Sequence, residues 1–119
     1  MPAKPQRGEI WRVDFDPSIG AEQTKIRPAI VLSRDDVGAL PLRVVVPLTT
    51  WQPHLTAAWL VPVEANAGTG LARRSVADCF QPRSLDRSRF ISKLGDAEQI
   101  KVEEIARTVA DVIGVSDVE

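Results

Sequence analysis

The sequence predicts an α+β domain, mainly β, built around a small barrel with one helix at its C-terminal end. Three observations carry this: short alternating or β-branched segments, turn residues that separate them, and a helical apolar repeat confined to the last segment. The chain has 119 residues, the size of one ordinary domain spanning 1–119. Its hydrophobic content of 44% and charged content of 26% exclude wholesale disorder.

Gly8 to Phe15 alternates, with Trp11, Val13 and Phe15 on one face and Ile10, Arg12 and Asp14 on the other, which is a strand. Asp16-Pro17-Ser18-Ile19-Gly20 is turn chemistry, and the polar stretch from Ala21 to Ile26 prolongs the loop. Ala29 to Ser33 is a second strand, with Pro28 placed at its start because proline has no ladder donor. Leu42 to Leu48 reads as a strand buried on both faces. Trp59 to Val63 is a strand interrupted by Pro62, which puts it at a sheet edge. Gly68-Thr69-Gly70 is a turn; Ser75 to Phe80 and Phe90 to Leu94 are two further strands, the latter closed by Gly95. A helix over about 96–113 follows, with Asp96 as N-cap, Gln99 three residues on, and Gly114 as its stop. Its apolar stripe is Ile100, Ile105, Val109, Val112 and Ile113.

The single cysteine, Cys79, excludes an intramolecular disulfide, and one cysteine with one histidine argues against a zinc site. No apolar run reaches the roughly 18–20 residues that span a bilayer, and Met1 to Arg7 lacks the apolar stretch of a signal peptide. The expectation is a cytoplasmic protein without a membrane partner. Charge is unevenly spread: residues 1–95 carry thirteen Lys+Arg against nine Asp+Glu, and residues 96–119 carry two against seven. Eleven of the fifteen basic residues are arginine, whose planar fork suits phosphate. A mildly basic body behind an acidic tail is compatible with RNA binding, while ordinary solvated charge is the favoured reading of the distribution by itself.

Arg7-Gly8-Glu9-Ile10-Trp11, Val13 to Pro17, Gly20 to Gln23 and Arg27 to Ser33 resemble, in order and spacing, the N-terminal signature of the MazF/PemK family, the ribonuclease toxins of bacterial toxin–antitoxin pairs. Val46-Pro47-Leu48-Thr49-Thr50 resembles the family's second motif, and Gly70-Leu71, Ser75 and Gln81 to Asp86 its third region. The resemblance implies a small SH3-like barrel of the CcdB/MazF type with a C-terminal helix, paired into a homodimer. It implies a sequence-specific endoribonuclease that cuts single-stranded RNA without metal or other cofactor. The ribose 2′-hydroxyl attacks the adjacent phosphorus, leaving a 2′,3′-cyclic phosphate and a 5′-hydroxyl. The implied partner is a cognate MazE-like antitoxin, acidic and partly disordered.

Such a reaction must stabilise extra negative charge on phosphorus and move two protons. Arg27 ends a polar loop just before a strand, and its high pKa suits it to charge stabilisation with proton donation as an option. Thr49 matches the family's catalytic threonine, and its hydroxyl can bond a phosphate oxygen or position the 2′-hydroxyl. Glu22, the one carboxylate in the polar stretch from Ala21 to Ile26 before Arg27, either takes a proton or orients Arg27. Gln23, Thr50, Trp51 and Arg83 are the substrate-binding candidates. Trp51 either stacks on a base, anchors its loop or receives the antitoxin. His54 reads as a solvated loop histidine. Ala21 replaces a hydrogen-bonding residue of many relatives, and Asp78 and Phe80 stand where one branch carries an arginine and an aspartate. Both departures put more weight on Arg27 and Thr49. Two alternatives remain: a CcdB-like topoisomerase poison, whose C-terminal tryptophan is absent here, and a non-catalytic SH3-like RNA-binding module.

Overall fold

The computed structural model describes residues 3–17, 19–22, 25–37 and 39–115. In chain order the elements are β1 (Glu9–Asp14), β2 (Ile26–Val31), β3 (Leu42–Thr50), β4 (Leu60–Val63), β5 (Ser75–Asp78), β6 (Arg83–Asp86), β7 (Phe90–Asp96) and α1 (Gln99–Val112), with a 3-10 turn at Arg87–Arg89. The strands pair antiparallel in the order β4-β5-β3-β2-β1-β7, and β6 also pairs with β3. β3 is the spine. It pairs with β6 from Leu42↔Asp86 to Val45↔Arg83, with β2 from Val45↔Val31 to Pro47↔Ala29, and with β5 from Leu48↔Ala77 to Thr50↔Ser75. β4 and β7 end the sheet, which is therefore open, the looser relative of the barrel expected from sequence.

Strand alternation gives the sheet an apolar surface on both faces. Ile10, Ile30, Val46 and Leu48 pack with Val61, Val63 and the helix residues Val102 and Ile105. Val13, Phe15, Ala29, Val31, Val45, Leu85 and Phe90 form the core on the other face, where Trp11 meets Phe90 edge-on at 5.9 Å. Burial of each aliphatic side chain in these cores contributes about 1.5–3 kcal/mol. Pro62 sits on β4, which pairs only with β5, so the edge assignment holds.

Three features differ from the sequence reading: the helix start, its packed stripe and one strand. The helix starts at Gln99 with Glu98 as N-cap, because Asp96 is the last residue of β7, its amide bonded to Gly68 O at 2.8 Å. The packed helix stripe is Val102 and Ile105 with Ala106 and Val109, while Ile100 and Ile113 are exposed. Gly114 does end the helix: at φ 92° it lets its own N–H reach Asp111 O and the Val115 N–H reach Ala110 O, a Schellman closure. β6 is a strand that sequence patterning missed, since Gln81-Pro82-Arg83-Ser84 has no alternating apolar signal.

The turn after β4 is locked against β7. Buried Thr69 donates its hydroxyl to Glu64 O at 2.9 Å, and its N–H goes to Asn66 Oδ1 at 2.9 Å. Gly70, at φ 68°, lies so close that an added Cβ would stand 1.9 Å from Leu94 O. Neither the conformation nor the space admits a side chain. Gly70→Ala should therefore cost more than about 3 kcal/mol and lower the melting midpoint by over roughly 10 °C. A thermal melt shifted by less than about 3 °C would contradict this packing.

Candidate active site at the split between two strands

Position 28 decides where β2 and β3 part. Leu32 N–H donates to Val44 O at 2.9 Å, and Ile30 faces Val46 in the same phase, so the next amide due to reach β3 belongs to residue 28. That residue is proline, and the β2–β3 ladder ends at Ala29↔Pro47. β2 nevertheless continues along β1, with Pro28 opposite Arg12 and Arg27 opposite Val13. The expectation that Pro28 opens its strand thus holds toward β3 and not toward β1. Continuing the register past the break puts Arg27 across from Thr49 on the same face. Both are half-buried, and Arg27 Nη1 donates to Thr49 Oγ1 at 3.4 Å, a long bond that a stronger acceptor would displace.

The split opens into a cleft of about 540 Å³ whose lining includes Arg27, Thr49, Thr50, His54, Trp59 and Asp78. A second irregularity shapes its other wall. β6 leaves β3 at Val45↔Arg83 and β5 takes over at Leu48↔Ala77, with Pro47 in the gap and residues 79–82 bulging out between the two strands. The Asp78 carboxylate holds this bulge, accepting the Phe80 N–H at 3.1 Å and Gln81 Nε2 at 2.9 Å. Cys79 is turned inward, where burial, with Asp78 and Glu104 adding negative charge nearby, pushes its thiol up to about 12. It stays neutral and is no nucleophile at ordinary pH.

Glu22 and Arg83 lie in a neighbouring cleft of about 250 Å³, with Phe15, Phe80, Gln81 and Pro82. Glu22 Oε1 accepts the Ile19 N–H at 2.7 Å. Arg83 donates to Phe15 O at 2.9 Å and Pro17 O at 3.4 Å, its guanidinium 6.0 Å from the Phe15 ring centre, so it braces the loop after β1. Trp51 lies just beyond β3, its N–H on Arg74 O at 2.8 Å and one ring face covered by the Arg74 guanidinium at 4.9 Å. Arg74 is in turn held by Glu64 at 2.9 Å. Gln23 is outside the described residues.

The structure thus brings Arg27, Thr49 and Thr50 together and sets Glu22 with Arg83 next to them. Asp78 and Trp59 line the cleft without having been site candidates, and His54, exposed in its loop as expected, borders it too. The single carboxylate on β5 was the signal available for Asp78. Among the described residues no group of three His, Cys, Asp or Glu side chains is placed to hold a metal ion. No helix there is long and apolar enough to cross a membrane.

Comparison with known proteins follows the same lines. Residues 6–113 match the family of PemK-like, MazF-like toxins of type II toxin–antitoxin systems. The chain is 35% identical to endoribonuclease MazF9 of Mycobacterium tuberculosis over 97 residues, 76% of this chain and 80% of that one. Its fold superposes on MazF from Deinococcus radiodurans with a TM-score of 0.80 at 28% identity, over 92% of this chain and 96% of that one. It also superposes on a MazE–MazF structure from the same organism with a TM-score of 0.74 at 26% identity, over 96% of this chain and 100% of that one. A match across nearly the whole described fold, in sequence and in shape, makes the chain a member of the PemK-like, MazF-like toxin family of type II toxin–antitoxin systems.

Proposed function

We propose that this protein is an endoribonuclease toxin that cuts single-stranded RNA in the cleft between β2 and β3. The observation that carries the reading is the Arg27–Thr49 pair, half-buried at the strand split of a MazF-like fold. The ribose 2′-hydroxyl attacks the adjacent phosphorus, the 5′-oxygen leaves, and a 2′,3′-cyclic phosphate and a 5′-hydroxyl result. Arg27 meets the charge that builds on the non-bridging oxygens, where a fixed guanidinium stabilises the transition state more than the ground state. Thr49 releases its long bond from Arg27 and turns its hydroxyl to a phosphate oxygen or to the attacking 2′-hydroxyl. The groups of this cleft able to carry a proton are His54 and Asp78, with Glu22 in the adjoining cleft. Gln23, Thr50, Trp51 and Arg83 contact RNA on either side of the cut, Trp51 through its uncovered face and Arg83 while bracing its loop.

The family and the MazE–MazF relative support a cognate antitoxin as partner, acidic and partly disordered, competing with RNA for the arginine-bearing face. The same family match favours RNA cleavage over a topoisomerase-directed toxin. Leu40, Leu42 and Val44 are exposed in and just before β3 and supply apolar area for a second copy, the homodimer. The expected compartment is the cytoplasm.

Single-turnover cleavage of one RNA separates the two roles. Arg27→Ala should lower the rate about 10²–10³-fold, and Arg27→Lys should restore little because it loses the planar fork. Thr49→Ser should keep substantial activity and Thr49→Val should lose most of it. Near-native cutting by folded Arg27→Ala would move the active site elsewhere.

A further inference from the structure

Trp59 and Phe80 form an edge-to-face pair with centroids 5.3 Å apart and planes at 70°, yet they are 42% and 58% exposed. The backbone fixes them side by side: the Cys79 N–H donates to Trp59 O at 3.0 Å, continuing the β4–β5 ladder. Trp59 also borders the Arg27–Thr49 cleft, and Phe80 borders the Glu22–Arg83 cleft. Together they wall a third groove of about 290 Å³, completed by Ala58 and by Thr108, Asp111 and Val112 of α1. Among the described residues no cation lines this groove and Asp111 does, which disfavours a phosphate there. Its aromatic wall suits a flat, uncharged ring.

We propose that Trp59 and Phe80 are a stacking platform for one unpaired nucleobase of the RNA, next to the nucleotides being cut. This rests on the endoribonuclease reading and deepens it. The phosphates follow the clefts that hold Arg27 and Arg83, and the base beside them turns onto the rings. Stacking of this kind depends on a π-face rather than on a hydrogen-bond pattern, so the platform holds any base and favours purines for their area.

The test uses the full chain and a short fluorescein-labelled single-stranded RNA enriched from a random pool by binding to it. Each nucleotide is replaced in turn by an abasic ribose, binding is read by anisotropy before cutting sets in, and cleavage is followed in parallel. In the wild type one flanking abasic replacement should weaken binding roughly ten- to a hundredfold. Phe80→Leu and Trp59→Leu should weaken intact RNA by a similar factor and become indifferent to the abasic replacement at that position. Trp59→Phe, which keeps a ring, should restore most of the binding; thermal melts confirm folding of each variant. Leucine variants that bind intact RNA like the wild type, or that keep the full abasic effect, would overturn the platform and assign the pair to protein contacts. RNA that binds and responds in this way but is never cut would overturn the endoribonuclease reading and leave the platform standing. RNA that does not bind would overturn both.

Discussion

Pro28 cannot donate to β3, and the ladder that would continue from Ala29↔Pro47 stops at that point. From this missing amide much of the site follows. β2 keeps its partner on one side and loses it on the other, so Arg27 is anchored by β1 while its guanidinium lines the cleft beside Thr49. Pro47 repeats the device on the opposite side of β3, where β6 gives way to β5 and residues 79–82 bulge outward. Two prolines inside a central pair of strands are unfavourable for the sheet, and here they sit where the sheet divides.

The arginines show why composition alone is an uncertain guide to nucleic-acid binding. Arg7 donates to Leu32 O, Arg43 to Pro5 O, Leu40 O and Leu42 O, Arg83 to Phe15 O and Pro17 O, and Arg89 to Asp14 O and Asp16 O. These guanidiniums tie loop carbonyls to the sheet, and charge-assisted bonds of this kind contribute about 1.5–3 kcal/mol each. Much of the arginine excess is therefore structural. Arg27 differs in its surroundings: it lines the largest of the clefts described above and meets the Thr49 hydroxyl there.

Local pattern made β1, the β3 interior, the β4 edge and the end of α1 legible, because each is written in alternation, proline placement or a terminal glycine. β6 was hidden because its pairing with β3 is a long-range choice that its own residues do not announce. The helix cap was misplaced by two residues because Asp96, a good N-cap in isolation, is taken by β7 and by Lys93 at 3.3 Å. Arg27 and Thr49 came from a family resemblance, and their juxtaposition is written in the sheet register. The meeting of Asp78 and Trp59 at the cleft depends on how β4 and β5 fold back, which no single segment encodes.

The central claim is that the cleft beside Pro28 turns the substrate's own 2′-hydroxyl on its phosphate. Replacing the one ribose on the 5′ side of the cut by 2′-deoxyribose tests it directly, with product ends read by mass. The all-ribose RNA should be cleaved to a 2′,3′-cyclic phosphate and a 5′-hydroxyl, and the deoxy-substituted strand should not be cleaved at that bond. Cutting of the substituted strand at a comparable rate, or ends carrying a 5′-phosphate, would contradict it.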